Sequence, residues 1–160
     1  MFSLIAGALR RFNRLAAYLS GAVIIVAAGI LVWQVAVRYW LKWPTDWEIE
    51  LCVMLLIIST FMSAAHTQAE RGHVAIDLLD TMLPAGINRI RQKLADILTF
   101  AFCGFVAFNA WEFFHEAWAD GKTSPSLWGP KLWIPYLFVA LGMTTLTLEL
   151  ALQTLRRKEA

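Results

Sequence analysis

Four stretches of this chain carry no charged side chain, and their length limits what it can fold into. They are residues 15–37, 51–69, 97–111 and 132–148, of 23, 19, 15 and 17 residues. A helix needs about 20 apolar residues to cross a hydrocarbon core of about 30 Å, with a lower limit near 17. The first two runs qualify outright. The third reaches that length once Leu94, Ala95, Phe113 and Phe114 join it, and the fourth gains 150–155 beyond Glu149. Lipid offers no partner to backbone N–H and C=O groups, so a span is a helix or a strand of a closed barrel. These runs lack strict alternation and therefore read as helices.

Composition agrees. Of 160 residues, 59% are apolar and 16% charged, against about a quarter charged in an ordinary soluble domain. Such a chain is too short to hide this much apolar surface in a soluble core. Its hydrophobicity excludes disorder. Two cysteines, Cys52 and Cys103, both inside apolar runs, do not make a disulfide scaffold. A net charge of +2 gives no reason to expect nucleic acid as a partner.

The expectation is an all-α integral membrane protein, one domain over residues 1–160. Its four transmembrane helices lie at about 15–37, 47–69, 91–116 and 132–154. Lys and Arg set the orientation. Ten of the 14 lie in the N-terminal segment, the second loop and the tail, and four in the first and third loops. The positive-inside rule then puts both termini in the cytoplasm. The 23-residue first run exceeds a signal-peptide core of about 7–15 residues, so it reads as an uncleaved span. All eight Trp fall on the outer half. They form either a well-anchored interface or a surface that also docks a protein.

The connections carry detail. Thr45 and Glu48 have the spacing of a capping box at the start of span two. Glu50 lies deeper, and a carboxylate at the membrane edge is costly unless paired or hydrated. Its nearest basic candidates in sequence are Arg38 and Lys42. Residues 74–83 place Asp77, Asp80 and Thr81 on one arc and apolar side chains on the rest. This predicts a short amphipathic helix lying in the interface, stopped by Pro84. Residues 87–118 contain neither Pro nor Gly except Gly104 and predict one helix of about 48 Å. Residues 120–131 read as an ordered, turn-rich connection.

Candidate chemistry is thin. Glu112, His115 and Glu116 have the Glu-x-x-His spacing of di-iron bundles, but no second such motif supplies the facing ligands. His66 and His73 lie at one end and His115 at the other, so no haem-ligating pair faces across the bilayer. No phosphate loop or nucleophile elbow is present. The spans hold Gln34, Ser59, Thr60, Ser63, Asn109, Thr144, Thr145 and Thr147, which suit helix packing and not a transport pathway. The residues themselves therefore indicate a support with no catalytic, cofactor or metal site. A redox-enzyme membrane anchor would require paired histidines or a quinone site. A small four-helix exporter would require an intramembrane carboxylate in span one.

Four motifs, in order along the chain, carry a resemblance. Gln34-Val35-Ala36-Val37-Arg38-Tyr39 closes span one and Trp47-Glu48-Ile49-Glu50-Leu51 opens span two. Arg71-Gly72-His73-Val74-Ala75-Ile76-Asp77 follows it. Gly121-Lys122-Thr123-Ser124-Pro125, Pro130-Lys131-Leu132-Trp133, Tyr136 and Gly142 mark the last loop and span. With these the chain resembles the small, DctQ-like permease subunit of tripartite ATP-independent periplasmic (TRAP) transporters. Ser63, where the family often has Gly, and the polar His66 and Gln68 are departures. The resemblance implies a non-catalytic subunit of the bacterial inner membrane, without a cofactor of its own. It would scaffold a large multi-span permease that binds sodium and moves like an elevator. A periplasmic binding protein would deliver an organic acid or similar solute. It also implies contacts with that partner or with membrane lipids at Arg38, Glu50, Arg71, His73 and Asp77, and at Trp43 and Trp128.

Overall fold

The computed structural model describes residues 2–43, 47–69 and 85–159. Within them the chain forms four helices: α1 (Phe2–Trp40), α2 (Trp47–Ala69), α3 (Ala85–Ala119) and α4 (Trp133–Glu159). No strand forms among the described residues beyond a single antiparallel bridge between Thr123 and Lys131. Each helix contains a segment long and apolar enough to cross a membrane: Leu9–Trp40, Trp47–Ala69, Leu94–Ala119 and Trp133–Leu152. The predicted interfacial helix at 74–83, with Arg71, His73 and Asp77, lies outside the described residues, as does Thr45 of the predicted capping box.

Helices α1 and α3 exceed the expected spans the most, for the same reason. Residues 2–14 contain good helix formers and no proline, so α1 extends more than three turns before the uncharged run. At 39 residues it is about 58 Å long. Helix α3 has 35 residues because nothing between Pro84 and Gly121 breaks it.

The helices pack in the order α1, α2, α4, α3, with only marginal contact between α1 and α4. The route of this row follows from which residues face which neighbour. Cys52 of α2 donates its S–H to the carbonyl of Ala27 in α1, at 3.4 Å. Nine residues on, Phe61 of the same helix abuts Gly142 of α4. Nine residues are two and a half turns, so α1 and α4 lie on opposite sides of α2. On α4, Met143 and Leu150 join Cys103 and Ala107 of α3 in the buried cluster, roughly a quarter turn from the Gly142 stripe. The row is straight through α2 and bends at α4.

Lipid tails are as apolar as Leu, so burial of apolar area does not hold such helices together; close packing does. The contacts are accordingly small. Ala27, Ala65, Ala107, Ala110, Ala117, Ala140 and Ser59 are buried. The polar side chains of the spans largely serve their own helices. Ser59 donates to Leu56 O, Thr145 to Gly142 O, Thr147 to Met143 O and Asn109 Nδ2 to Phe105 O, at 2.7–3.0 Å. Thr144 does both. Its hydroxyl donates to Ala140 O at 2.7 Å and accepts from Trp111 Nε1 of α3 at 3.0 Å.

Candidate functional site

Polar and aromatic groups gather where the start of α2 meets the α3–α4 connection. Helix α3 ends in a Schellman turn. Gly121 takes φ +62°, and the Lys122 N–H bonds Ala117 O at 3.1 Å. The connection then folds back on itself: Ser124 N–H donates to Pro130 O at 2.9 Å and Leu132 N–H to Lys122 O at 3.0 Å. This closes an ordered loop whose tip carries Ser126, Leu127 and Trp128. A second glycine at positive φ, Gly129 at +57°, turns the backbone so that its N–H reaches Ser126 Oγ at 3.1 Å.

That hydroxyl is the hub of the site, since Ser126 Oγ also donates to Glu50 Oε2 of α2. One turn before Glu50, the Trp47 ring meets Trp128 edge-on, centroids 6.3 Å apart at 64°. The tip of the loop is thus fixed to the first turn of α2 by one carboxylate and one indole. On the α3 side, Trp118 and Trp133 pack edge-on at 4.8 Å, and Phe113 lies against Tyr136 at 6.3 Å.

The sequence pointed Glu50 toward Arg38 and Lys42. Among the described residues neither pairs with it; Ser126 is its partner instead. The reason is angular. Glu50 lies two residues before Cys52, the residue that faces α1, and so turns toward the loop above α4 and away from the end of α1. Arg38 and Trp43 are exposed at the end of α1, and Lys42 occupies the left-handed region at φ +53°. Of the predicted contact residues, the structure brings together Glu50 and Trp128 and leaves Arg38 and Trp43 apart from them.

Glu48 is better buried than its proposed capping role requires. It is 5% exposed, one turn before Cys52 and so on the side of α2 that faces α1, and its Oε2 has no hydrogen-bond partner. Two further buried polar groups with unpartnered atoms have no counterpart in the sequence reading. Asn13 on α1 is 1% exposed with neither amide atom partnered, and Glu149 on α4 is 2% exposed with Oε2 unpartnered. Glu149 lies seven residues after Gly142, on the same stripe toward α2. Its position just past the uncharged run 132–148 was the only signal of it.

The polar end of α3 is exposed at Glu112, His115 and Glu116. Glu116 accepts a 2.6 Å bond from Lys122 Nζ, with Asp120 at 3.6 Å. The bond to Glu116, with the charges of both carboxylates, raises the Lys122 pKa above its ordinary 10.5. Among the described residues no three His, Cys, Asp or Glu side chains gather as metal ligands. Below this end, α3 and α4 enclose an open groove of about 260 Å³ lined by Phe105, Val106, Asn109, Ala110, Phe113, Tyr136 and Val139. With the Asn109 amide turned to its own backbone, the groove offers almost nothing polar. An arrangement of this kind can hold helices and loops in place. Among the described residues it assembles no nucleophile, base and electrophile around a common point.

Comparison with known proteins gives the family. The chain is 26% identical over 92 residues, 58% of its length, to the sialic acid TRAP transporter permease protein SiaT of Haemophilus influenzae (strain 86-028NP). It spans 15% of that relative's length. The family model for the DctQ component of tripartite ATP-independent periplasmic transporters matches residues 27–159, which takes in the end of α1, all of α2, α3 and α4, and the loop held by Glu50. The chain is therefore a multi-pass membrane protein and belongs to the DctQ component family of tripartite ATP-independent periplasmic transporters.

Proposed function

We propose that this chain is the non-catalytic small subunit of a TRAP transporter in a bacterial inner membrane, with both termini in the cytoplasm. Its role is mechanical. It widens the fixed part of a large, sodium-coupled permease, whose moving part carries a solute delivered by a periplasmic binding protein. Sodium and substrate bind the large subunit, and this chain needs no cofactor. The solute is an organic acid or similar compound; a relative named for sialic acid supports that class without narrowing it.

The observation that carries the reading is the family match over residues 27–159, which covers the end of α1 and all of α2, α3 and α4. The architecture is in keeping with it. An open row leaves α1 and α3 with long uncovered apolar flanks, which suits a component packed against lipid or a larger membrane protein. In this orientation the Glu50–Ser126 loop faces the periplasm, where the binding protein arrives.

The test is a tagged pull-down from native membranes in gentle detergent, with all co-purifying proteins identified. A roughly stoichiometric, much larger multi-span protein is the expected result. Recovery of the chain alone, or with a cofactor-bearing soluble enzyme, would overturn the proposal.

A further inference from the structure

One face of α1 combines charge and shape in a way the transporter reading does not use. Asn13, Ala16, Ser20, Ala27 and Gln34 are the buried residues of this helix that turn toward α2. Arg10, Arg11 and Arg14 occupy an arc of about 100° on the far side. All three are exposed, and none forms an ion pair among the described residues. They lie just inside the start of the membrane-crossing segment, which begins at Leu9.

The same face continues into the membrane without a break. Tyr18, Ile25 and Val32 follow Arg14 at helical spacing and are 75%, 74% and 71% exposed. Between them Gly21 and Gly29 have nothing within 4 Å of where a Cβ would stand, so the surface dips on either side of Ile25. From Arg14 to Ile25 the rise is about 16 Å, close to one leaflet of a hydrocarbon core of about 30 Å. A cationic cluster, a phenol one turn deeper and a shallow apolar trough one leaflet long have the proportions of a phospholipid.

We infer that this face of α1 binds an anionic phospholipid. Its phosphate sits among Arg10, Arg11 and Arg14, its ester region beside the Tyr18 hydroxyl, and its acyl chains along Gly21, Ile25 and Gly29. Guanidinium groups suit the role because each presents a planar fork to phosphate oxygens. The charge selects the lipid: a zwitterionic headgroup carries its own cation into the arginine cluster, whereas phosphatidylglycerol does not. The inference is independent of the transporter reading, since it requires only that α1 cross a membrane.

The experiment uses the full chain in bilayers of phosphatidylcholine with about one phosphatidylglycerol in five. Lipids retained after mild extraction are counted for the unmodified chain and for R10Q/R11Q/R14Q. A control, R156Q/R157Q/K158Q, removes three charges from the last turns of α4. The unmodified chain and the control are expected to retain phosphatidylglycerol well above its bulk share. At about a fivefold loss per basic residue, the arginine triple weakens that preference about a hundredfold. R14Q alone, less disturbing to folding, weakens it about fivefold. Retention unchanged in the arginine variants overturns the inference. So does an equal loss in both triples, which would mean that charge at this end of the bundle acts without a site. The same count on the assembled complex must still find the lipid; its absence there would show that a protein covers this face.

Discussion

Gly142 of α4 lies directly against the backbone of Phe61 in α2. A Cβ on Gly142 would stand 2.6 Å from the Phe61 carbonyl carbon and 2.9 Å from its Cβ, both inside the distance that real Cβ atoms keep. The obstacle is helical backbone, which cannot rotate aside as a side chain does. This contact joins the α1–α2 half of the row to the α4–α3 half. Gly142→Ala is therefore expected to lower stability by about 1–3 kcal/mol, and Gly142→Val by more. Thermal unfolding in detergent, followed by helicity, would measure it. An unchanged midpoint for Gly142→Val would show that α2 and α4 do not meet there. At Gly104 a Cβ would have only Thr147 Cγ2 at 3.8 Å, so Gly104→Ala is the tolerated control.

The Ser126 hydroxyl links Glu50 to the loop and also accepts from Gly129. Removing it unties two elements at once. Ser126→Ala and Glu50→Ala are each expected to cost about 1–2 kcal/mol, near the value of a hydrogen bond to a charged group. The double variant should cost little more than either single one, since the pair is in direct contact. Amide hydrogen exchange across 122–132 would read the loss locally, with faster exchange at Ser124 and Gly129. Additive effects would mean that Glu50 and Ser126 act separately.

Helices α1 and α3 end with a residue in the same left-handed conformation, filled differently. At α3 it is Gly121, at φ +62°; at α1 it is Lys42, at φ +53°. A side chain there is strained and glycine is not. Gly121→Ala should destabilise by about 1 kcal/mol, and Lys42→Gly should stabilise by up to that amount. Paired melting curves check both signs. A destabilising Lys42→Gly would show that the lysine side chain is held by something its charge or length provides.

Much of this architecture was legible in the sequence because lipid imposes it. Uncharged runs near 20 residues must become helices, so Leu9–Trp40, Trp47–Ala69, Leu94–Ala119 and Trp133–Leu152 follow the four runs closely. The motifs around Trp47 to Leu51 and Gly121 to Trp133 pointed to the family that the match over 27–159 establishes. The order of the row was not legible. It depends on which small residues face one another, and Gly142 against Phe61 looks like any other glycine before the helices are docked. Local capping does not account for Glu50, but its partner lies 76 residues away, and a serine in a turn-rich loop gives no sign of a distant carboxylate. In the sequence Glu149 only interrupts two apolar segments. Its burial shows only once the 135/142/149 stripe of α4 is placed against α2.

Glu149 itself gives the last prediction. A carboxyl group 2% exposed, with one oxygen unpartnered, is a poor contributor to stability. Taking a charge out of water is expensive, and no basic side chain among the described residues pairs with it. Glutamine keeps the size and both polar positions and removes the charge. Glu149→Gln is therefore expected to raise stability by about 1 kcal/mol, and Glu149→Leu not to lower it by more than the loss of whatever bond the other oxygen makes. Glu149→Lys, which puts a longer cation on the same stripe, should prevent α4 from docking on α2. Melting temperatures of the three variants check the order Gln above the native residue above Lys. A marked loss with Gln would show that the carboxylate charge is held in place by a group that only an ionised oxygen can satisfy.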